Sequence, residues 1–86
     1  MPRLSTFYGI TISMYFGDHN PPHFHAFYGS DEAYYDISSG QIIEGRLPRR
    51  AAKLVAEWFE VHREELLANW NLAIARKPLK KISPLE

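Results

Sequence analysis

The 86 residues include no cysteine and carry no net charge at pH 7, so disulfide frameworks and thiolate metal sites are excluded. A content of 45% hydrophobic and 14% aromatic residues suffices for one compact domain over residues 1–86, although a domain this small gains from a partner that covers apolar surface. No apolar run approaches the roughly 20 residues of a membrane span, and "MPRLSTFYGI" has no cleavage signature, so a soluble cytoplasmic protein with no membrane partner is expected.

In chain order, the first half reads as strands over about residues 6–45. In "YGITISMYF" the residues Tyr8, Ile10, Ile12, Met14 and Phe16 alternate with Gly9, Thr11, Ser13 and Tyr15, the period of a strand with one apolar row. The Gly- and Pro-containing "GDHNPP" ends it, and "HFHAFYG" resumes as a second strand. "AYYDI" and "QIIEG" supply a third and a short fourth, separated by the turns "GSDE" and "SSG". Such close spacing implies an antiparallel meander of three to four strands.

From Pro48 to about residue 76 the chain lacks glycine, and proline is tolerated in a first helical turn. The spacing predicts one long helix over about 48–76, stopped before Pro78, then an irregular basic tail over 77–86. Leu47, Ala51, Leu54, Val55, Trp58, Val61, Leu66, Leu72 and Ala73 fall within one broad sector of that helix. The expected fold is α+β, with the helix packed on one face of the meander. Phe59 and Trp70 are read as core or as a contact with a second copy of the chain.

Three of the four histidines lie within seven positions, in "GDHNPPHFHAFYG". On a strand His23 and His25 share a face, opposite Phe24 and Ala26. With His19 from the loop they make a set of imidazoles acceptable to a zinc-type ion; no cofactor is expected, with a divalent metal as the alternative. The alternative is a pair of histidines that exchange protons, as in cleavage of RNA through its own 2′-hydroxyl, with His23, His25 and His62 as catalytic groups. Structural histidines bonded to backbone or carboxylate remain the simplest reading. His62, Glu65 and Asn69 interrupt the apolar sector of the helix; buried polar groups need partners, and His23 and His25 across the interface are the obvious ones.

Charge is uneven. Residues 1–45 hold one basic and five acidic residues, a net of −4, and residues 46–86 hold nine and five, a net of +4. Arg46, Arg49, Arg50 and Lys53 crowd the helix start, where the macrodipole is already positive, a place for a phosphate or a partner's carboxylates. Offset by Glu44 and Glu57 on a solvated face is the plainer account of the same residues.

The blocks "FYGITISMYFGDHNPPHFHAFYG", "GRLPRR" and "EWFEVHREELLANW" together resemble a small prokaryotic family of domains of unknown function, the one numbered four-one-six-zero. The resemblance runs from Leu4 to about Leu85. It implies a gene that lies beside one for another small protein, in a pair that looks like a toxin–antitoxin or regulatory module. It carries over no catalytic residue. On this reading the protein is an interaction protein that binds a small protein partner, with nucleic acid or a second copy as further partners. A histidine-based enzyme, either a metal-independent ribonuclease or a metal-assisted hydrolase, is the alternative.

Overall fold

In the computed structural model, which describes residues 2–86, five strands precede one helix: β1 (Arg3–Phe7), β2 (Ile10–Ser13), β3 (His23–Tyr28), β4 (Asp31–Asp36), β5 (Ile42–Gly45) and α1 (Arg49–Ile74). The sheet is an antiparallel meander in the order β1-β2-β3-β4-β5. The α+β class is the one expected, with five strands in place of three to four.

The added strand comes from a break in what read as one alternating run. Tyr8 and Gly9 both have positive φ, 48° and 81°, and form the two-residue turn that pairs Phe7 with Ile10. Turns of this kind match the twist of the strands they join. Ile10, Ile12 and Met14 are fully buried as the alternation requires, but Tyr8 and Phe16, at its two ends, are exposed.

The core lies between the sheet and α1. Phe24 stacks on Tyr35 at 5.1 Å and meets Trp58 edge-on at 6.0 Å, while Phe7 packs on Trp58 at 5.4 Å. The helix buries Ala51, Val55, Trp58, Phe59, Leu66, Asn69, Trp70 and Ala73. Val61, expected in that stripe, is 71% exposed, because the stripe is centred farther round, toward Phe59 and Trp70. Both of those aromatics are core. At His62 the backbone leaves helical values (φ −117°, ψ 19°), which kinks α1.

The end of α1 matters for the site. Arg76 takes a left-handed φ of 58°, its N–H donates to the Ala73 carbonyl, and the Lys77 N–H donates to Leu72. These are the two bonds of a Schellman stop. The Ala73 carbonyl also accepts from Gly17 N–H at 3.1 Å, so the β2–β3 loop is pinned to the helix end. The tail then folds back: Ile82 N–H donates to Leu4, and Trp58 Nε1 donates to the Ser83 carbonyl at 2.8 Å.

Candidate metal centre

Strand alternation turns Phe24 and Ala26 toward α1 and sends His23 and His25 to the other face. Both histidines are buried all the same. His25 is enclosed by Tyr15 and Tyr34, edge-on at 4.5 and 4.3 Å, and His23 by Tyr34 and by Trp70 at 5.2 Å. The β3–β4 register sets Tyr34 directly opposite His25. Ser13 sits opposite His25 on the other side, and its buried hydroxyl has no hydrogen-bond partner among the described residues.

Above this layer the pinned loop delivers Asp18. Its Oδ2 lies 2.9 Å from His23 Nε2 and 3.5 Å from His25 Nε2, and its Oδ1 accepts the His19 backbone N–H at 2.9 Å. Burial acts to raise the Asp18 pKa. The His19 N–H, the charge of a protonated His23 and the hydrogen bonds from His25 and His23 outweigh it, so the net shift is downward. The Tyr34 hydroxyl is pushed up, first by Glu32, then by burial and by Glu44, Tyr15 and Asp18. This face of the sheet is acidic.

The hydrogen atoms on the two imidazoles can be assigned from their partners. His23 Nδ1 is 2.8 Å from the Pro21 carbonyl oxygen, which can only accept, so Nδ1 carries the hydrogen and donates it. His25 stands between two carboxylates, with Nδ1 3.3 Å from Glu32 Oε2 and Nε2 3.5 Å from Asp18 Oδ2, and the shorter contact is the one that places its hydrogen on Nδ1. In the neutral ring each Nε2 is then a lone pair, and both are aimed at one oxygen of Asp18. A proton can bridge one of these pairs. A metal ion would be held by all three atoms, which lie within 4.8 Å of one another.

The donor set fits such an ion. Zinc–nitrogen bonds of about 2.0–2.1 Å at tetrahedral angles place neighbouring ligand atoms about 3.3 Å apart, close to the 2.9 and 3.5 Å that separate Asp18 from the two imidazoles, which themselves lie within 4.8 Å of each other. Metal-binding imidazoles characteristically donate their other N–H to a carbonyl or carboxylate; His23 Nδ1 does so to Pro21, and His25 Nδ1 has Glu32 in place for it.

Of the residues singled out in the sequence, His23 and His25 come together and the others do not join them. His19 is exposed and enters through its backbone; its neighbour Asp18 takes the third position. His62 bonds to Glu65 and packs on Trp58 at 5.3 Å. Asn69 does not face the histidines: its side chain accepts from Lys80 N–H at 2.8 Å and donates to the Lys80 carbonyl at 3.0 Å. The grouping of His62, Glu65 and Asn69 with the strand histidines is thereby corrected, since α1 and the tail satisfy these polar groups. Arg46, Arg49, Arg50 and Lys53 are exposed and form no ion pair with Glu44, Glu57 or any other described residue.

A family model for Domain of unknown function (DUF4160) matches residues 9–71. The chain belongs to this family. Its matched region takes in β2, the loop with Asp18, both strand histidines, Glu32 and Tyr34, and most of α1, while β1 and the tail lie outside it. No curated protein and no solved structure matches the chain.

Proposed function

We propose that this domain is a divalent-metal protein, with one first-row transition-metal ion held by His23 Nε2, His25 Nε2 and the Asp18 carboxylate. The observation that carries the reading is the aim of two imidazoles, each fixed through Nδ1, at one carboxylate oxygen. Nitrogen and oxygen donors without sulfur suit zinc, iron, cobalt or manganese rather than copper(I). Three protein ligands leave a position for water, which a bound metal acidifies, so metal-assisted hydrolysis is the chemistry such a centre supports. Pro21 and Glu32 orient the rings, Tyr15 and Tyr34 wall off His25, and Asp18 is the most solvent-accessible of the three ligands.

Titration of metal-stripped protein with cobalt(II) or zinc tests the proposal. One equivalent should bind and raise the melting temperature, because binding to the folded state alone stabilises it by mass action. His25→Ala and Asp18→Ala should each remove that response. Binding unchanged in both variants, or no binding by the unaltered protein, would contradict the assignment.

A second reading keeps the domain as one member of a toxin–antitoxin-like or regulatory pair. A separate observation favours a protein partner: all four residues of the edge strand β5 are exposed, Ile42 and Ile43 among them. Ile43→Lys should then weaken copurification with the product of the adjacent gene and leave metal binding intact. Unchanged copurification would count against this surface.

A further inference from the structure

The fold brings two tyrosines and one arginine to a groove at the end of β3 opposite His23. The groove, of about 560 Å³, is lined by Tyr8, Tyr28, Pro48, Arg50, Ala51 and Leu54. Tyr28 stands at the opposite end of β3 from His23 and out of phase with it, on the helix side of the sheet.

Its tyrosines differ from those at the metal centre. Tyr15 and Tyr34 are packed against histidine rings and Tyr35 is stacked on Phe24. Tyr8 and Tyr28 are 59% and 39% exposed, and among the described residues neither meets another ring. Both are nonetheless held in place. Tyr8 occupies the positive-φ turn between β1 and β2, and the Tyr28 ring lies across Gly9, close enough that a Cβ there would touch it at 3.4 Å.

Arg50 lines the groove, and Arg46, Arg49 and Lys53 are its neighbours in sequence. None of the four has a carboxylate partner among the described residues, and the first turn of α1 contains no acidic residue. Four like charges within eight residues and without partners repel each other, and at a helix start the macrodipole adds to the cost. An incoming polyanion relieves both.

Flat, unstacked aromatic faces beside free cations match a polyanion that carries flat bases. We infer that this groove binds single-stranded nucleic acid, with bases stacked on Tyr8 and Tyr28 and phosphates held by Arg50 and the adjacent cations. A duplex hides its base faces and cannot use the tyrosines. The carboxylates of Asp18, Glu32 and Glu44 surround Tyr34 on the other face, so a nucleic acid is repelled there and confined to the groove. This inference stands independently of the metal centre.

The test is fluorescence anisotropy with a labelled twelve-nucleotide oligothymidine and a duplex of equal length, on the full chain in EDTA, across a salt series. The single strand should bind more tightly than the duplex. Its log affinity should fall with log salt with a slope of roughly −2 to −3, as three to four phosphate contacts imply. Arg49→Glu with Arg50→Glu should lower affinity at least about tenfold and flatten the slope. Tyr8→Ala with Tyr28→Ala should lower it by roughly tenfold or more while the slope holds, and the corresponding Phe variants should bind like the unaltered protein. Circular dichroism keeps loss of fold separate from loss of binding. The inference is overturned by absence of single-strand binding at low salt, by equal affinity for the duplex, or by full affinity in the folded Tyr→Ala variant. Equal binding of polyglutamate would overturn it too, by showing a surface that selects charge alone.

Discussion

The two faces of β3 are both buried and are held by different forces. Toward the helix, Phe24 and Ala26 meet Tyr35, Trp58 and Phe59 in an apolar core. On the opposite face, His23 and His25 are covered by Tyr15, Tyr34, a loop and Trp70 from the C-terminal part of α1, and are fixed by hydrogen bonds to Pro21, Glu32 and Asp18. Burial alone therefore does not separate core from site. A polar face enclosed this well, with both rings oriented from behind, is what the proposed metal centre requires.

The widest separation between the faces should come from truncation. Phe24→Ala should cost about 3–5 kcal/mol, the range for emptying a large aromatic from a core, and in a domain this small that approaches the whole stability. His25→Ala should lower the melting temperature of metal-free protein far less, and should abolish its rise with zinc. Thermal denaturation with and without metal reads both effects. Equal losses in metal-free protein would make the outer face a second core.

Acid should act through the two carboxyls held below their ordinary value, Asp18 and, through its Ser38 bonds, Asp36. The lowered Asp18 pKa means that the folded state holds this carboxylate charged more readily than the unfolded chain does. Its stabilising contribution is complete above the ordinary value of 3.8 and is lost as pH falls through the lowered folded value. Asp18→Asn should flatten the acid limb of stability below about pH 4 in metal-free protein, and denaturant midpoints across pH 2–6 would show it. An unchanged acid limb would mean that Asp18 is not engaged with the imidazoles.

The smallest effect sharpens the link between helix and site. Gly17 has φ 65°, and a Cβ there would lie about 2.5 Å from the Arg76 guanidinium. Gly17→Ala should shift the loop and misplace Asp18, lowering metal affinity by about tenfold, the scale of losses when the supports of a ligand are disturbed. The global fold should persist, because Arg76 is exposed and can move. Unaltered affinity would show that Asp18 is placed by other contacts.

Much of this was legible in the sequence, and the gaps have physical causes. The alternation in "HFHAFY" is enough by itself to separate the two faces of β3. The hairpin at Tyr8–Gly9 was hidden because tyrosine is an unusual choice for a positive-φ turn position, where Asn or Asp is preferred. His19 and Asp18 are adjacent, and which of them reaches the imidazoles is decided by a bond from Gly17 to Ala73, more than fifty residues away. A polar interruption at Asn69 was visible, but its partner lies in a tail without secondary structure of its own. Glu32 could have been found: the Gly29–Ser30 turn pairs Tyr28 with Asp31, which places Tyr34 opposite His25 and Glu32 diagonal to it on the same face.

The most direct measurement is anomalous diffraction at the zinc edge from crystals grown with zinc. The account expects one strong peak about 2.0–2.2 Å from His23 Nε2, His25 Nε2 and an Asp18 carboxylate oxygen. A zinc-soaked crystal with no peak there, and Asp18 still bonded directly to both rings, would contradict it.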